Sequence, residues 1–120
     1  MKSFLLKGGC LAAAAVLGAC APVNPPLYYW GDYQNTLYLH HQDGVTDYSA
    51  QVSSIESILS QAEAQGKSVP PGLHAHLGML YFNTGREIEA REQFAMERNL
   101  FPESAHFVEQ ILHEQPETAQ

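Results

Sequence analysis

Hydrophobic side chains recur every three or four positions over most of the chain after residue 32, the spacing at which they line one face of an α-helix. The first such stretch, residues 33–41, predicts a short helix that ends near Gly44, with its shared face formed by Tyr33, Leu37, Tyr38 and His41. The second, residues 47–65, predicts a longer helix that Asp47 caps and Gly66 ends. Its apolar stripe consists of Val52, Ile55, Ile58, Leu59 and Ala62.

After the turn signal "KSVPPG", residues 71–102 divide into two predicted helices at Asn83-Thr84-Gly85. The inner face of the first consists of Leu73, Leu77, Leu80 and Tyr81, and that of the second of Ile88, Ala90, Phe94 and Ala95. A last amphipathic helix is predicted over 103–114, with Phe107, Val108, Ile111 and Leu112 inside. The pattern therefore predicts an all-α protein.

Residues 1–19 have the composition of a secretory signal peptide. Lys2 and Lys7 precede an almost purely apolar run from Gly8 to Ala19, which is too short for a permanent membrane span. We expect this segment to be removed, which leaves 101 of the 120 residues, enough for one small domain.

The end of that segment, Leu17-Gly18-Ala19-Cys20, resembles the lipobox of bacterial lipoproteins. The resemblance implies that Cys20 becomes the first mature residue and carries a multi-chain lipid anchor, which holds a protein stably on a membrane. Ala21 replaces the aspartate that favours inner-membrane retention in enteric-type bacteria, which implies the outer membrane, facing the periplasm. The alternative is a secreted protein with an accidental cysteine.

Charge and cysteine content exclude several classes of function. The chain after residue 19 has 13 acidic residues against four basic ones, a formal charge of −9 with histidine neutral, so nucleic acid is not an expected partner. Cys10 leaves with the signal and Cys20 carries lipid, so neither a disulfide nor a cysteine-ligated zinc site is expected. The proline-rich stretch 21–26 predicts a short extended tether.

In the two helices predicted over residues 71–102, the spacing of small, aromatic and turn residues resembles a known motif. Seven positions resemble a tetratricopeptide repeat, a helix-turn-helix unit: Leu77, Gly78, Tyr81, Gly85, Ala90, Phe94 and Pro102. We expect Gly78 and Ala90 to be small where the helices cross, and Gly85 to turn the chain. His74 and Glu97 depart from the pattern, since they replace a large aromatic and a small residue.

A single repeat cannot bury its face alone, so we expect the helices at 33–41 and 47–65 to form a degenerate hairpin before it, with the last helix closing the other side. An unrelated antiparallel hairpin is the alternative. The predicted organisation is a signal peptide (1–19), a lipidated cysteine, tether and aromatic segment (20–32), a repeat-like helical domain (33–115) and a disordered tail (116–120).

Together with the lipobox and the repeat, the segment "PLYYWGDYQNTLY" resembles a family of small bacterial lipoproteins that forms a domain of unknown function. Members are often encoded beside a curli-secretion-type (CsgG-like) lipoprotein, which implies a shared envelope assembly. We take Tyr28, Tyr29, Trp30 and Tyr33 as candidate partner-binding residues. Packing on the protein's own domain and contact with the lipid interface are the alternatives.

The six histidines do not show the spacing of a metal site, and no phosphate loop, nucleophile elbow or dinucleotide fingerprint is present in the sequence. His74 and His76, two positions apart, point to different faces of a helix. We expect histidines at the surface or at helix ends, no cofactor and no catalytic residue.

The leading hypothesis from the sequence is therefore a periplasm-facing outer-membrane lipoprotein that acts as an adaptor or assembly factor for another envelope protein. The alternatives are a periplasmic metal-binding or hydrolytic enzyme and a purely structural lipoprotein.

Overall fold

The computed structural model describes residues 25–42 and 47–114, and within them the protein is built from helices without strands. The five α-helices are α1 (Tyr33–His40), α2 (Tyr48–Ala64), α3 (Leu73–Asn83), α4 (Glu87–Leu100) and α5 (Ala105–Glu114). A 3₁₀ turn, Pro102–Ser104, separates α4 from α5. The prediction of an all-α fold is confirmed. The signal peptide, Cys20, residues 21–24 of the tether, Gly44 and the 116–120 tail lie outside the described residues.

Short-range signals set the ends of α2. The Asp47 carboxylate accepts a hydrogen bond from the Ala50 backbone N–H at 3.0 Å, as its position before the helix predicts. At the other end Gly66 takes a left-handed conformation with φ of +61°. The Lys67 N–H then bonds to the Ala62 carbonyl at 2.9 Å, which satisfies a helix-terminal acceptor.

Helices α3 and α4 form a tight hairpin. Gly85 turns the chain with φ of +77°, and the Arg86 N–H bonds back to the Tyr81 carbonyl at 2.8 Å. Gly78 lies against α4 so closely that an added Cβ would stand 3.0 Å from the Phe94 ring and 3.1 Å from the Ala90 carbonyl oxygen. A side chain at this position would therefore have to displace the Phe94 ring and the α4 backbone by a few tenths of an ångström.

The core joins all five helices. Tyr33 comes from α1, Ile55 and Ile58 from α2, and Val108 and Ile111 from α5. The central hairpin contributes the remaining large side chains, Leu73, Leu77, Leu80, Tyr81 and Phe94. Helix α1 packs on α2, α2 on α3 and α5 on α4, so the hairpin is covered from both sides.

Four residues of the predicted apolar faces are exposed instead: Tyr38, His41, Ile88 and Phe107. Ile88 lies about 200° around the helix from Ala90, so it points away when Ala90 faces α3. Tyr38 is similarly offset from Tyr33, and Phe107 sits at the edge of the face formed by Val108 and Ile111. The last α-helix also begins at Ala105 rather than 103, because a 3₁₀ turn occupies Pro102–Ser104.

The aromatic segment, residues 27–32, is attached to the end of α2. The Tyr29 N–H donates to the Ser68 carbonyl at 2.7 Å, and the Tyr29 hydroxyl donates to Oε1 of Gln61 at 2.7 Å. These bonds fix where the chain enters the domain. Among the described helices, none has the length and apolar character needed to cross a membrane.

Candidate functional site

An open groove of about 530 Å³ lies between the end of α2, the 67–69 loop, the start of α3 and the second half of α4. Apolar side chains dominate its lining, namely Leu59, Ala62, Val69, Met96, Leu100 and Phe101. This volume is in the range of ligand-binding clefts. The polar lining residues are Glu63, Lys67, Ser68, His74 and Gln93. We call this feature the α2–α4 groove.

Two apolar side chains of α4 line the groove and are also exposed to solvent. Met96 is 47% exposed and Leu100 is 56% exposed, although both line the groove. They stand four residues apart, which places them on the same side of the helix. Their exposed apolar surface is available to a binding partner.

The four aromatic residues predicted to bind a partner have different environments in the structure. Tyr28 lines the groove and packs edge-on against Phe101, with 6.2 Å between the ring centroids. Tyr29 is held by Ser68 and Gln61, as described above. Trp30 is exposed, whereas Tyr33 is buried in the core. Of the four, Tyr28 and Trp30 are therefore the ones placed to contact another molecule.

The seven residues predicted to pack within the repeat all lie along the α3–α4 hairpin. Leu77, Tyr81, Ala90 and Phe94 are buried, and Gly78 and Gly85 stand at the crossing and the turn. Pro102 follows the end of α4 and begins the 3₁₀ turn.

The two departures from the repeat pattern are both polar groups that are buried and bonded. Nδ1 of His74 lies 2.7 Å from Oε1 of Gln93 on α4, beneath the groove. The Glu97 carboxylate accepts hydrogen bonds from the Gly72 N–H at 2.7 Å and from the Ser104 hydroxyl at 3.1 Å. Both side chains bond α4 to the first turn of α3 or to its cap, and no sequence pattern indicated these partners.

A second polar cluster joins α1 to α3 and was not anticipated from the sequence. The rings of His40 and His76 meet edge-on, 4.8 Å apart between centroids, and the Tyr33 ring lies 5.8 Å from that of His76. Both ring nitrogens of His76 are buried without a hydrogen-bond partner. Burial, followed by the charges of His40 and His41, lowers the pKa of His76 to about 4.

The expectation of surface histidines is therefore wrong for His74 and His76, which are buried on opposite sides of α3. The expectation that they face different directions is correct, since His74 meets α4 and His76 meets α1. Within residues 25–42 and 47–114, no three or more histidine, cysteine, aspartate or glutamate side chains are grouped so as to hold a metal ion.

Fold and site together define a small all-helical domain with an apolar groove beside an aromatic entry segment. The family described as "Domain of unknown function (DUF4810)" matches residues 27–111, and the chain belongs to that family. The matched range includes both the aromatic segment and the helices as far as Ile111. No curated protein and no solved structure gives a significant match to the chain.

Proposed function

We propose that this protein is an outer-membrane lipoprotein whose helical domain acts as an adaptor or assembly factor for another envelope protein. The observation that carries the proposal is the α2–α4 groove, in which Met96 and Leu100 expose apolar surface beside Tyr28. The occupant we propose is an apolar segment of a partner protein, and a CsgG-like lipoprotein is the first candidate from the family resemblance.

The α3–α4 hairpin supports a role in protein binding. Gly78 stands at a close crossing of the two helices and Gly85 at the turn between them, the positions for which the proposed tetratricopeptide-like repeat uses glycine. Stacked helical repeats present extended surfaces between their helices, and they use those surfaces to bind other proteins. The groove occupies such a position, because α2 precedes the hairpin and α4 is its second helix.

The proposed lipid anchor on Cys20 is supported by the lipobox resemblance of residues 17–20. Six residues, 21–26, separate Cys20 from Leu27, and at about 3.1 Å per residue an extended proline-rich path reaches about 19 Å. A short tether of this kind keeps the groove close to the membrane surface. A partner that is itself anchored in the outer membrane is then within reach.

Photocrosslinking in intact cells tests the docking surface. A photoreactive residue at Leu100 is expected to give a discrete crosslink to one envelope protein, because Leu100 lines the groove. The same residue at Ile88 is the matched control, since Ile88 is on the same helix and 75% exposed but lies outside the groove. Crosslinks only to lipid, or equal crosslinks from both positions, contradict the proposal.

A binding assay complements the crosslinking. Leu100→Asp is expected to abolish recovery of the crosslinked protein, whereas Ile88→Asp leaves it unchanged. For the anchor, Cys20→Ala is expected to move the protein from the membrane fraction to the soluble periplasmic fraction. Retention of the Cys20→Ala variant in membranes contradicts the lipid anchor but leaves the groove test valid.

A further inference from the structure

Helix α1 is attached to the rest of the domain by few contacts. Only Tyr33 and Thr36 of its eight residues are buried. Its polar links to α2 are a hydrogen bond between the hydroxyls of Thr36 and Ser54 at 2.8 Å and the contact of His40 Nδ1 with Oε1 of Gln51 at 2.9 Å. A helix of this length is not stable by itself in water, so its order depends on these contacts.

The remaining attachment of α1 is to α3, through His76. His76 is 7% exposed and packs against the rings of Tyr33 and His40. Neither of its ring nitrogens has a hydrogen-bond partner. This environment accepts a neutral imidazole, but it offers nothing to stabilise an imidazolium ion.

The charged and titratable groups around His76 add to this preference. His40, the last residue of α1, meets the His76 ring, and the charges of His40 and of the following His41 both oppose a positive charge on His76. On α4 the buried carboxylate is that of Glu97, which is bonded to Gly72, Ala75 and Ser104 rather than to His76. From α2 the polar group beside His40 is the uncharged amide of Gln51.

We propose that α1 is an acid-sensitive switch, in which protonation of His76 beside His40 releases α1 from α3 while the preceding chain stays attached at Tyr29. Gly31, with φ of +48°, lies between that attachment and α1 and provides the pivot. Release uncovers the part of the core on which Tyr33 and Leu37 pack. The switch is independent of the proposed adaptor role, since it needs no partner.

The direction of the pH dependence follows from linkage. The pKa of His76 is about 4 with α1 in place and returns towards 6.5 once α1 is released. The released state therefore binds more protons below pH 6.5, and it gains population as the pH falls towards 4. The opening equilibrium constant of α1 is expected to rise about 30-fold between pH 7.5 and pH 5.

Hydrogen exchange on the chain from Cys20 onward measures this constant directly. Backbone amides of α1 are expected to show the 30-fold rise after correction for intrinsic exchange, whereas those of α3 and α4 do not. Trp30 is the only tryptophan and its ring is stacked on that of Tyr33, so its fluorescence gives a second local readout. Equal changes in α1 and α3 indicate global unfolding and overturn the proposal.

Substitutions test whether the His76 imidazole causes the pH dependence of α1 exchange. His76→Phe keeps an aromatic ring but removes the titrating nitrogens, so the pH dependence of α1 exchange is expected to disappear. His113→Gln, on the exposed side of α5, is the matched control and is expected to behave as the wild type. Persistence of the wild-type pH profile in His76→Phe overturns the proposal.

If His76→Phe does not fold, titration of the His76 ring in the wild-type protein provides the test. Its C–H resonances are expected to titrate with an apparent pKa below 6.5, in step with α1 exchange. Titration of His76 without any change in α1 exchange overturns the proposal.

Discussion

The carboxylate of Glu97, near the end of α4, caps the beginning of α3 through the backbone N–H of Gly72, with 2.7 Å between Oε1 and the nitrogen. The cap position of α3 is itself a glycine and makes no side-chain hydrogen bond. Glu97 therefore supplies from 25 residues away what a serine or aspartate usually supplies locally. Its negative charge also suits the positive end of the helix dipole.

Replacement of Glu97 is expected to be costly, because its side chain is completely buried. Glu97→Ala leaves the N–H groups of Gly72 and Ala75 and the hydroxyl of Ser104 without their acceptor. We expect the free energy of unfolding to fall by about 3 kcal/mol, measured by urea denaturation. Glu92→Ala, at an exposed position of the same helix, is the control and is expected to change stability by less than about 0.5 kcal/mol. Equal losses in both variants would contradict the capping role.

Gly78→Ala tests the crossing of α3 and α4. The added methyl group would stand 3.0 Å from the Phe94 ring, which is itself fully packed. Overpacking costs about 1–3 kcal/mol, and the better helix propensity of alanine returns about 1 kcal/mol, so a net loss of about 1 kcal/mol is expected. In Phe94→Leu, which removes the ring, the same Gly78→Ala change is expected to become neutral or stabilising. A loss of the same size in both backgrounds would show that the methyl group does not meet the ring.

Asp47 and Asp32 form a matched pair for helix capping. Both precede a helix, but only the Asp47 side chain accepts a hydrogen bond from the helix backbone, whereas the Asp32 carboxylate accepts one from the side chain of Asn35. Asp47→Ala is expected to lower the free energy of unfolding by about 1 kcal/mol. Asp32→Ala is expected to cost less than half of that, since an exposed side-chain bond contributes little. Thermal or urea unfolding of the two variants compares them directly, and the reverse order would be inconsistent with the structure.

Two buried phenols make stability sensitive to alkaline pH. Burial, with the hydrogen bond and charge of Glu56 adding to it and Arg86 opposing it, raises the pKa of Tyr81 to about 12. Burial and then the charge of Glu97 raise the pKa of Tyr33 to about 12. In the unfolded chain a phenol titrates near 10, so the folded state loses stability as the pH rises from 10 to 12.

Absorbance at 295 nm should therefore resolve a late ionisation step near pH 12, and unfolding free energies measured at pH 9 and pH 11 should differ. The step is expected to shrink by half in Tyr81→Phe, which keeps the ring beneath the Arg86 guanidinium. A late step of unchanged size in that variant would show that the Tyr81 phenol does not ionise near pH 12.

The helices and much of the core were predictable from the sequence. Asp47, Gly66, Gly85 and Pro102 act within a few residues of the chain, through a side-chain cap or a restricted φ angle, so their effect does not depend on the rest of the fold. The apolar stripe of α2 and that of α3 also proved to be buried or half-buried. The prediction failed at Ile88 because that residue lies on the side of α4 opposite Ala90, and at Phe107 because periodicity does not say how wide the covered face of a helix is.

The burial of polar side chains and the existence of the groove could not be predicted from local sequence patterns. His76 has no local signal that distinguishes it from a surface residue, and the repeat pattern marks His74 and Glu97 as departures without indicating their partners. The groove exists only where α2, the 67–69 loop and α4 come together. Helix beginnings, turns and ends follow from local residue preferences and can therefore be read from the chain. Which polar side chains are buried, and with which partner, depends on distances between segments far apart in the chain and emerges only in the folded domain.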